Sequence, residues 1–251
     1  MAYRVPHPKR PEIAHHSRRQ TFFARMAGLA LIWVLVGIMA VVADRSAPPG
    51  HLPWKPLRIG DPVGIATRLK AARTGEDQDA CRAALTAGGV EFKPAPEQVN
   101  GVCSVHDAVY LGFGIAALNP ANTPMTCKEA LAFTVWERQV VQPAAFGNLG
   151  QGVIAIPNFG SYACRQVIGS PDQKMSEHAT ANAIDVAGFT LADGTTISVA
   201  NDWNDPGPKG RFLHEVRDGS CEVFLTTLSP DYNAEHHDHL HLDMGGWPMC
   251  A

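Results

Sequence analysis

The sequence predicts an α+β domain, a mainly antiparallel sheet with flanking helices, preceded by one N-terminal transmembrane helix. Three observations carry this. Residues 26–43, "MAGLALIWVLVGIMAVVA", hold no charge. Beyond them helical patterns dominate up to about Gly150, and short β-type runs with a hairpin signal follow, the order expected of segregated α+β architecture. All six cysteines lie after the apolar run, which suits disulfides in an exported domain.

The chain has 251 residues and a formal net charge of -3, enough for one well-cored domain plus an appendage. No long basic patch stands out beyond the N-terminus, so nucleic acid is not an expected partner. Residues 1–25 carry Arg4, Lys9, Arg10, Arg18, Arg19 and Arg25 against the single acid Glu12. Eighteen apolar residues rise roughly 27 Å, enough to cross a hydrocarbon core. The positive flank predicts a cytoplasmic tail at 1–25, a single-pass anchor in the inner membrane at 26–43 and a periplasmic remainder. Cleavage after Ala43, as in a long signal peptide, is the competing reading.

Residues 44–75 are rich in Pro and Gly and read as a mostly extended linker, with a short helix conceivable at "IATRLKAAR". The domain is expected over 76–251. "GEDQDACRAALTAGG" has acids at its start and a Gly pair at its end, as a short helix should. "VEFKPAP" and "CSVHDAVYLGFG" read as strands. "TPMTCKEALAFTVWERQVVQPAAF" is the strongest helix: Thr126 caps it, Glu129 follows as in a capping box, and Ala130, Leu131, Phe133, Thr134 and Val135 form its core stripe. "GVIAIPNFGSYACR" contains a β-type run. "AIDVAGFTLADGTTISVA" reads as two strands joined at Asp-Gly. "RFLHEVRDG" reads as a helix, and "EVFLTTL" and "HDHLHLDM" as strands. The six cysteines allow fifteen pairings, among which the sequence does not choose; none are spaced as CxxC, so they make poor zinc ligands.

Four of the eleven histidines, His236, His237, His239 and His241, fall within six positions. In a strand, His237, His239 and His241 point to one face and Leu240 and Leu242 to the other. Imidazole is the commonest neutral metal ligand, and a catalytic zinc takes three protein ligands and keeps one position open. The remaining ligands must come from another polar cluster. "SEHATANAIDVAGF" offers His178 and Asp185. If Asp185 begins a strand, Ile184 and Val186 face the core while Asp185 faces the pocket. His106 and His214 read as structural or surface residues, and Asp238 and Asp243 are possible acceptors for ligand imidazoles.

"GSYACR", "SEHATANAIDVAGF", "NDW" and "DYNAEHHDHLHLD" together resemble the bacterial extensin-like C-terminal domain family. Ser-x-His, a seven-residue step to Asp and a distant His-x-His also resemble the zinc peptidases of the D-Ala-D-Ala metallopeptidase group, whose fold is shared with the N-terminal domain of hedgehog signalling proteins. The resemblance implies that His178, Asp185 and His241 bind zinc and that His239 is catalytic base or transition-state stabiliser. It implies that His236 lies near the site and that Arg165, in "YACR", holds a substrate carboxylate or developing oxyanion. Ala181 stands where the wider group usually has Gly. No Trp or Glu directly precedes the His-x-His, which favours the endopeptidase-like branch. The implied activity is hydrolysis of peptidoglycan or a related cell-wall peptide; the alternative is a non-catalytic, zinc-containing wall-binding module of the same fold.

Overall fold

The computed structural model describes residues 14–167, 172–246 and 248–251, with side chains from residue 20 onward. Two compact units result, one ending at Ala47 and the other spanning Pro48–Ala251. Residues 1–13, most of the expected basic tail, lie outside the described residues.

Helix α1 (Ala14–Ser46) starts well before the expected 26–43 segment and ends shortly after it. Its Gln20–Ser46 portion is long and apolar enough to cross a membrane, and a signal sequence at this place would meet the same criterion. Leu31, Trp33, Val36 and Met39 are all exposed. A helix that is apolar all round with no covered face suits lipid rather than water.

Residues 44–75 differ from the extended linker expected of them. From Pro48 on they belong to the same compact unit as the rest of the domain. Helix α2 (Thr67–Glu76) buries Thr67, Lys70 and Ala71, and Lys70 Nζ donates to the Pro49 carbonyl at 2.9 Å. The buried lysine stem hides a core face that a residue-type pattern does not reveal. Helix α3 (Gln78–Ala87) follows, with the Asp77 side chain accepting from the Ala80 N–H as its cap.

Strands β1 (Phe92–Pro94), β2 (Ala108–Leu111), β3 (Ala117–Asn119) and β4 (Met125–Thr126) lead into the central helix. In α4 (Cys127–Trp136) every residue but Lys128 is buried. The Thr126 hydroxyl accepts from the Glu129 N–H at 3.2 Å, so the predicted cap forms. The reciprocal half of the capping box does not, because the Thr126 N–H donates to the Ala181 carbonyl instead. The run continues through a π-turn at Glu137–Val141 into α5 (Gln142–Leu149). Pro143 has no N–H to give to this ladder, and it directly follows the π-turn, where the i→i−4 pattern is already interrupted. Trp136 is the hub of the core: its ring lies 5.5 Å from Phe133, 6.1 Å from Phe189 and 6.0 Å from Phe224, and its Nε1–H donates to Val216 O at 3.1 Å.

The second half supplies β5 (Val153–Pro157), β6 (Ala183–Val186), β7 (Gly188–Leu191), β8 (Thr196–Ser198), α6 (Val199–Asp202), α7 (Pro208–Ser220), β9 (Thr226–Leu228), β10 (Leu240–Asp243) and β11 (Met249–Cys250). Three sheets form, ordered β1-β2-β4, β11-β9-β10-β6 and β3-β5-β7-β8. Pairings are antiparallel except β3 with β5 and β11 with β9. The segment expected as one strand from Ala183 to Leu191 is two. It breaks at Ala187 and passes from one four-stranded sheet to the other, while β7 and β8 make the hairpin expected at "ADGT". Three disulfides, Cys81–Cys127, Cys103–Cys164 and Cys221–Cys250, settle the pairing left open by the sequence.

Candidate metal centre

Strands β6 and β10 pair so that His241 lies directly opposite Asp185, with Leu242 opposite Ile184 and Leu240 opposite Val186. The four apolar residues are fully buried. The core therefore fixes the register, and the register sets the two polar side chains together on the other face. His178 comes from a 3₁₀ turn, Glu177–Thr180, that precedes β6. Ser176 caps this turn by accepting from the His178 N–H, and Ala181 ends it in the left-handed region at φ 57°.

The result is a triangle of donor atoms. His178 Nε2 lies 3.1 Å from Asp185 Oδ1 and 3.1 Å from His241 Nδ1, and His241 Nδ1 lies 3.0 Å from Asp185 Oδ1. The outer nitrogens decide what these contacts are. His178 Nδ1 stands 3.2 Å from the Ser161 carbonyl, which can only accept, so Nδ1 carries the hydrogen. His241 Nε2 stands 3.0 Å from Asp243 Oδ2, a carboxylate that likewise accepts. In their neutral forms both imidazoles then turn bare nitrogens inward, onto a carboxylate oxygen. Three lone pairs about 3 Å apart repel one another unless a cation sits among them. A tetrahedral metal with bonds of about 2.0–2.1 Å spaces its ligand atoms about 3.3 Å apart, and the triangle fits that with a small expansion. The outer acceptors are the carbonyl and carboxylate partners that metal-binding histidines ordinarily have. His178, Asp185 and His241 can hold a metal ion, and the donor set of two imidazoles and one carboxylate suits zinc.

With protons in place of a cation, the same electrostatics shows in the acidities. Burial raises the Asp185 carboxyl, but hydrogen bonds from His178 and His241 outweigh it and hold the group far below the usual carboxylate range. Burial lowers His241, yet Asp185 and Asp243 on either side raise it to about 9.

His239 stands at the edge of the triangle, its Nε2 3.5 Å from Asp185 Oδ1. Its Nδ1–H donates to Asp238 Oδ1 at 2.8 Å, which leaves Nε2 the basic atom. Asp238 and Asp243, which spacing alone does not separate from solvated acids, thus orient one imidazole each. His236 lies in a 3₁₀ turn, Ala234–His236, with Nδ1 2.7 Å from Asn233 Oδ1. Its ring is 5.2 Å from that of His239 and 5.9 Å from that of His241. Burial, then the neighbouring imidazoles, lower it to about 4, so it is neutral at pH 7.

His237 does not share the face of His239 and His241. Strand β10 begins only at Leu240, and period-2 alternation has no force before the ladder starts. His237 is helical in backbone, exposed, and turned to the Ala234 carbonyl at 2.8 Å.

Arg165, His236, His239 and His241 line one cavity of about 330 Å³, together with Lys174, Glu177 and Tyr232. Arg165 is exposed at its wall. Its backbone belongs to a ladder with the His178 segment: Ala163 N–H donates to His178 O and Ser176 N–H to Arg165 O, both at 3.0 Å. Cys103–Cys164 anchors this ladder beside the site. Sequence reasoning does not find the Ser161 carbonyl, since a main-chain acceptor leaves no residue-type signature. It also misses Phe159, exposed and set edge-on to His239 at 5.9 Å.

Residues 79–251, well over half of the chain, match the sequence profile of the extensin-like protein C-terminus family. No curated protein and no solved structure matches the chain.

Proposed function

This chain belongs to the extensin-like protein C-terminus family, and from that premise we propose that it is a membrane-anchored, periplasmic, zinc-dependent hydrolase of cell-wall peptides. The observation that carries the reading is the triangle of inward-facing lone pairs on His178, Asp185 and His241, with a basic histidine beside it in a cavity. The likeness of these residues to those of the D-Ala-D-Ala metallopeptidases supports the peptide substrate and the assignment of fold. The apolar α1 supports the inner-membrane anchor, with the basic tail cytoplasmic.

Zinc held by His178, Asp185 and His241 would supply an electrophile for the scissile carbonyl and an acidified water. The chain's own groups do the rest. His239 accepts a proton at Nε2 and returns it to the leaving amine. Asp238 fixes its tautomer through Nδ1 and favours the imidazolium that forms. His236, neutral at working pH, offers a second polar nitrogen to the cavity without placing a competing charge there. The exposed Arg165 guanidinium presents a planar fork to a substrate carboxylate, as a terminal D-Ala would offer.

The test is incubation of the full chain, purified in detergent, with isolated peptidoglycan, with and without a chelator, followed by mass analysis of soluble products and metal analysis of the protein. About one zinc per chain and chelator-sensitive release of peptides is the expected result. Zinc without release, but with binding to the wall, would favour the non-catalytic module; absence of zinc would sink both.

A further inference from the structure

Glu129 sits in the first turn of α4, fully buried, and neither of its carboxylate oxygens makes a well-formed hydrogen bond among the described residues; the Met244 backbone N–H is near enough to favour its ionised form, but only weakly against burial. An unpartnered buried carboxylate is costly to keep ionised. The charges that bear on Glu129 are those of Asp243 at the end of β10, Glu177 in the turn that carries His178, and Lys128 on its own helix. Burial first, and the two acids next, raise its carboxyl well above the ordinary range. A neutral carboxylic acid has what a carboxylate lacks, an O–H donor.

These two acids belong to the elements that carry metal ligands. Asp243 Oδ2 accepts the His241 Nε2–H. Glu177 directly precedes His178, and its Oε2 accepts from Asn182 Nδ2 at 2.9 Å. Asn182 Oδ1 in turn accepts from the Thr126 hydroxyl at 2.9 Å, at the cap of the helix that bears Glu129. Because the Thr126 N–H is taken by Ala181, Glu129 is released from the capping-box role its spacing suggests.

We propose that Glu129 is a positioning residue of the metal centre: a carboxylic-acid donor, buried behind Asp243 and Glu177, that keeps Asp243 an acceptor for the His241 Nε2–H and joins the end of β10 to the His178 turn. The inference rests on the zinc reading above. It requires an O–H or N–H donor at this position and assigns no negative charge to it.

Zinc affinity of the full chain in detergent, measured by competition with a chromophoric chelator, tests this alongside thermal melting of the metal-free protein. Glu129→Gln retains a donor and should bind zinc within about threefold of wild type. Glu129→Met keeps the volume and removes the donor. The Met244 N–H keeps the Asn182 carbonyl as its acceptor at 3.2 Å, so the swap strands no backbone donor and should be near neutral for the fold; a merely structural role then leaves zinc affinity unchanged. The positioning role predicts binding weaker by about 10- to 100-fold with an intact metal-free melt. Should Glu129→Met not fold, Glu129→Asp supplies the readout, since it draws the acid back by one methylene and should also weaken zinc by about tenfold or more. Wild-type affinity in Met or Asp variants, or a loss in the Gln variant equal to that in Met, overturns the proposal alone. Failure of the wild type to bind zinc overturns the zinc reading and this inference with it.

Discussion

The cavity has two unlike walls. One is strand β10, held between β6 and β9, with the adjoining His178 turn; His178 and His241 are buried there, and apart from the Ser161 carbonyl their polar partners are fixed by strand register or by the capped turn. The other is loop: residues 231–237 with Tyr232 and His236, and the arm that carries Arg165, their side chains largely exposed. The loop is nonetheless tied down. Asn233 Oδ1 accepts from the N–H groups of Glu235 and His236, and Asp231 Oδ1 accepts from Trp203 Nε1 at 2.9 Å. The difference teaches where precision is needed. Ligand geometry tolerates errors of only a few tenths of an ångström, which paired strands can hold. A wall that meets substrate has to admit and release it, which loops do better.

The largest effect should come from the rigid wall. Asp185→Ala removes the one anion from the triangle and leaves two imidazoles facing each other. Zinc content should fall to near zero and any hydrolysis with it, measured by metal analysis and peptide release. Retention of one zinc per chain would show that this wall is not the ligand set. His239→Ala separates metal from chemistry. Zinc content should stay as in wild type while turnover drops by about 10²- to 10⁴-fold, the usual contribution of a positioned acid–base group. Equal loss of zinc in this variant would move His239 into the ligand set.

The rigid wall also predicts a pH dependence. In metal-free protein His241 titrates at about 9 against an ordinary value near 6.5, so the folded state holds this proton more tightly than the unfolded chain does. Its contribution to stability is fully present below about pH 6.5 and is lost as pH rises through about 9, on the order of 1–3 kcal/mol. Asp185, held low, acts oppositely, and its contribution disappears only as pH falls below the ordinary carboxylate value. Melting temperature of the metal-free protein should therefore decline from pH 6.5 to 9.5. Zinc must displace the His241 proton, so the rise in melting temperature on adding zinc should grow over the same window. A flat profile would mean that His241 is not held between two carboxylates.

The contrast between the walls also explains what could be read in advance. The faces of β6 and β10 were legible because Ile184, Val186, Leu240 and Leu242 mark the core side, which left Asp185 and His241 only one other face to occupy; that the two strands pair, with Asp185 opposite His241, was not. Capping of α4 by Thr126 was legible for the same local reason. Illegible features depend on what packs from elsewhere. His237 left the expected face because the ladder stops at Leu240, and nothing within "HHDHLHL" says where it stops. The break at Ala187 exists because two sheets meet there. The α2 helix hides its core face behind the stem of Lys70, and the disulfides pair residues that only the finished fold brings together.

On the loop wall the effects should be smaller. Asp231→Ala removes the acceptor for the Trp203 Nε1–H and a partner 3.9 Å from the Arg217 guanidinium. It should cost about 1–2 kcal/mol of stability for the buried donor left unpaired. If the loop serves substrate, KM should rise several-fold with zinc content unchanged. A variant that loses zinc as well would mean that the two walls are coupled rather than separate.

The smallest effect is expected at Ala181, three residues after His178. The position closes the His178 turn at φ 57° and ψ 31°, a left-handed conformation that favours glycine and costs other residues about 1–2 kcal/mol. The methyl group, however, is fully buried against Val105 and Ala108, a gain of about 0.8 kcal/mol, and alanine restricts the unfolded chain by a further 0.4–1 kcal/mol or so. Strain on one side and burial with chain entropy on the other nearly cancel, so Ala181→Gly should change stability by no more than about 1 kcal/mol in either direction and leave zinc affinity unaltered. A clear loss of zinc in this variant would show that the packed methyl, rather than the turn's backbone, holds His178 against the triangle.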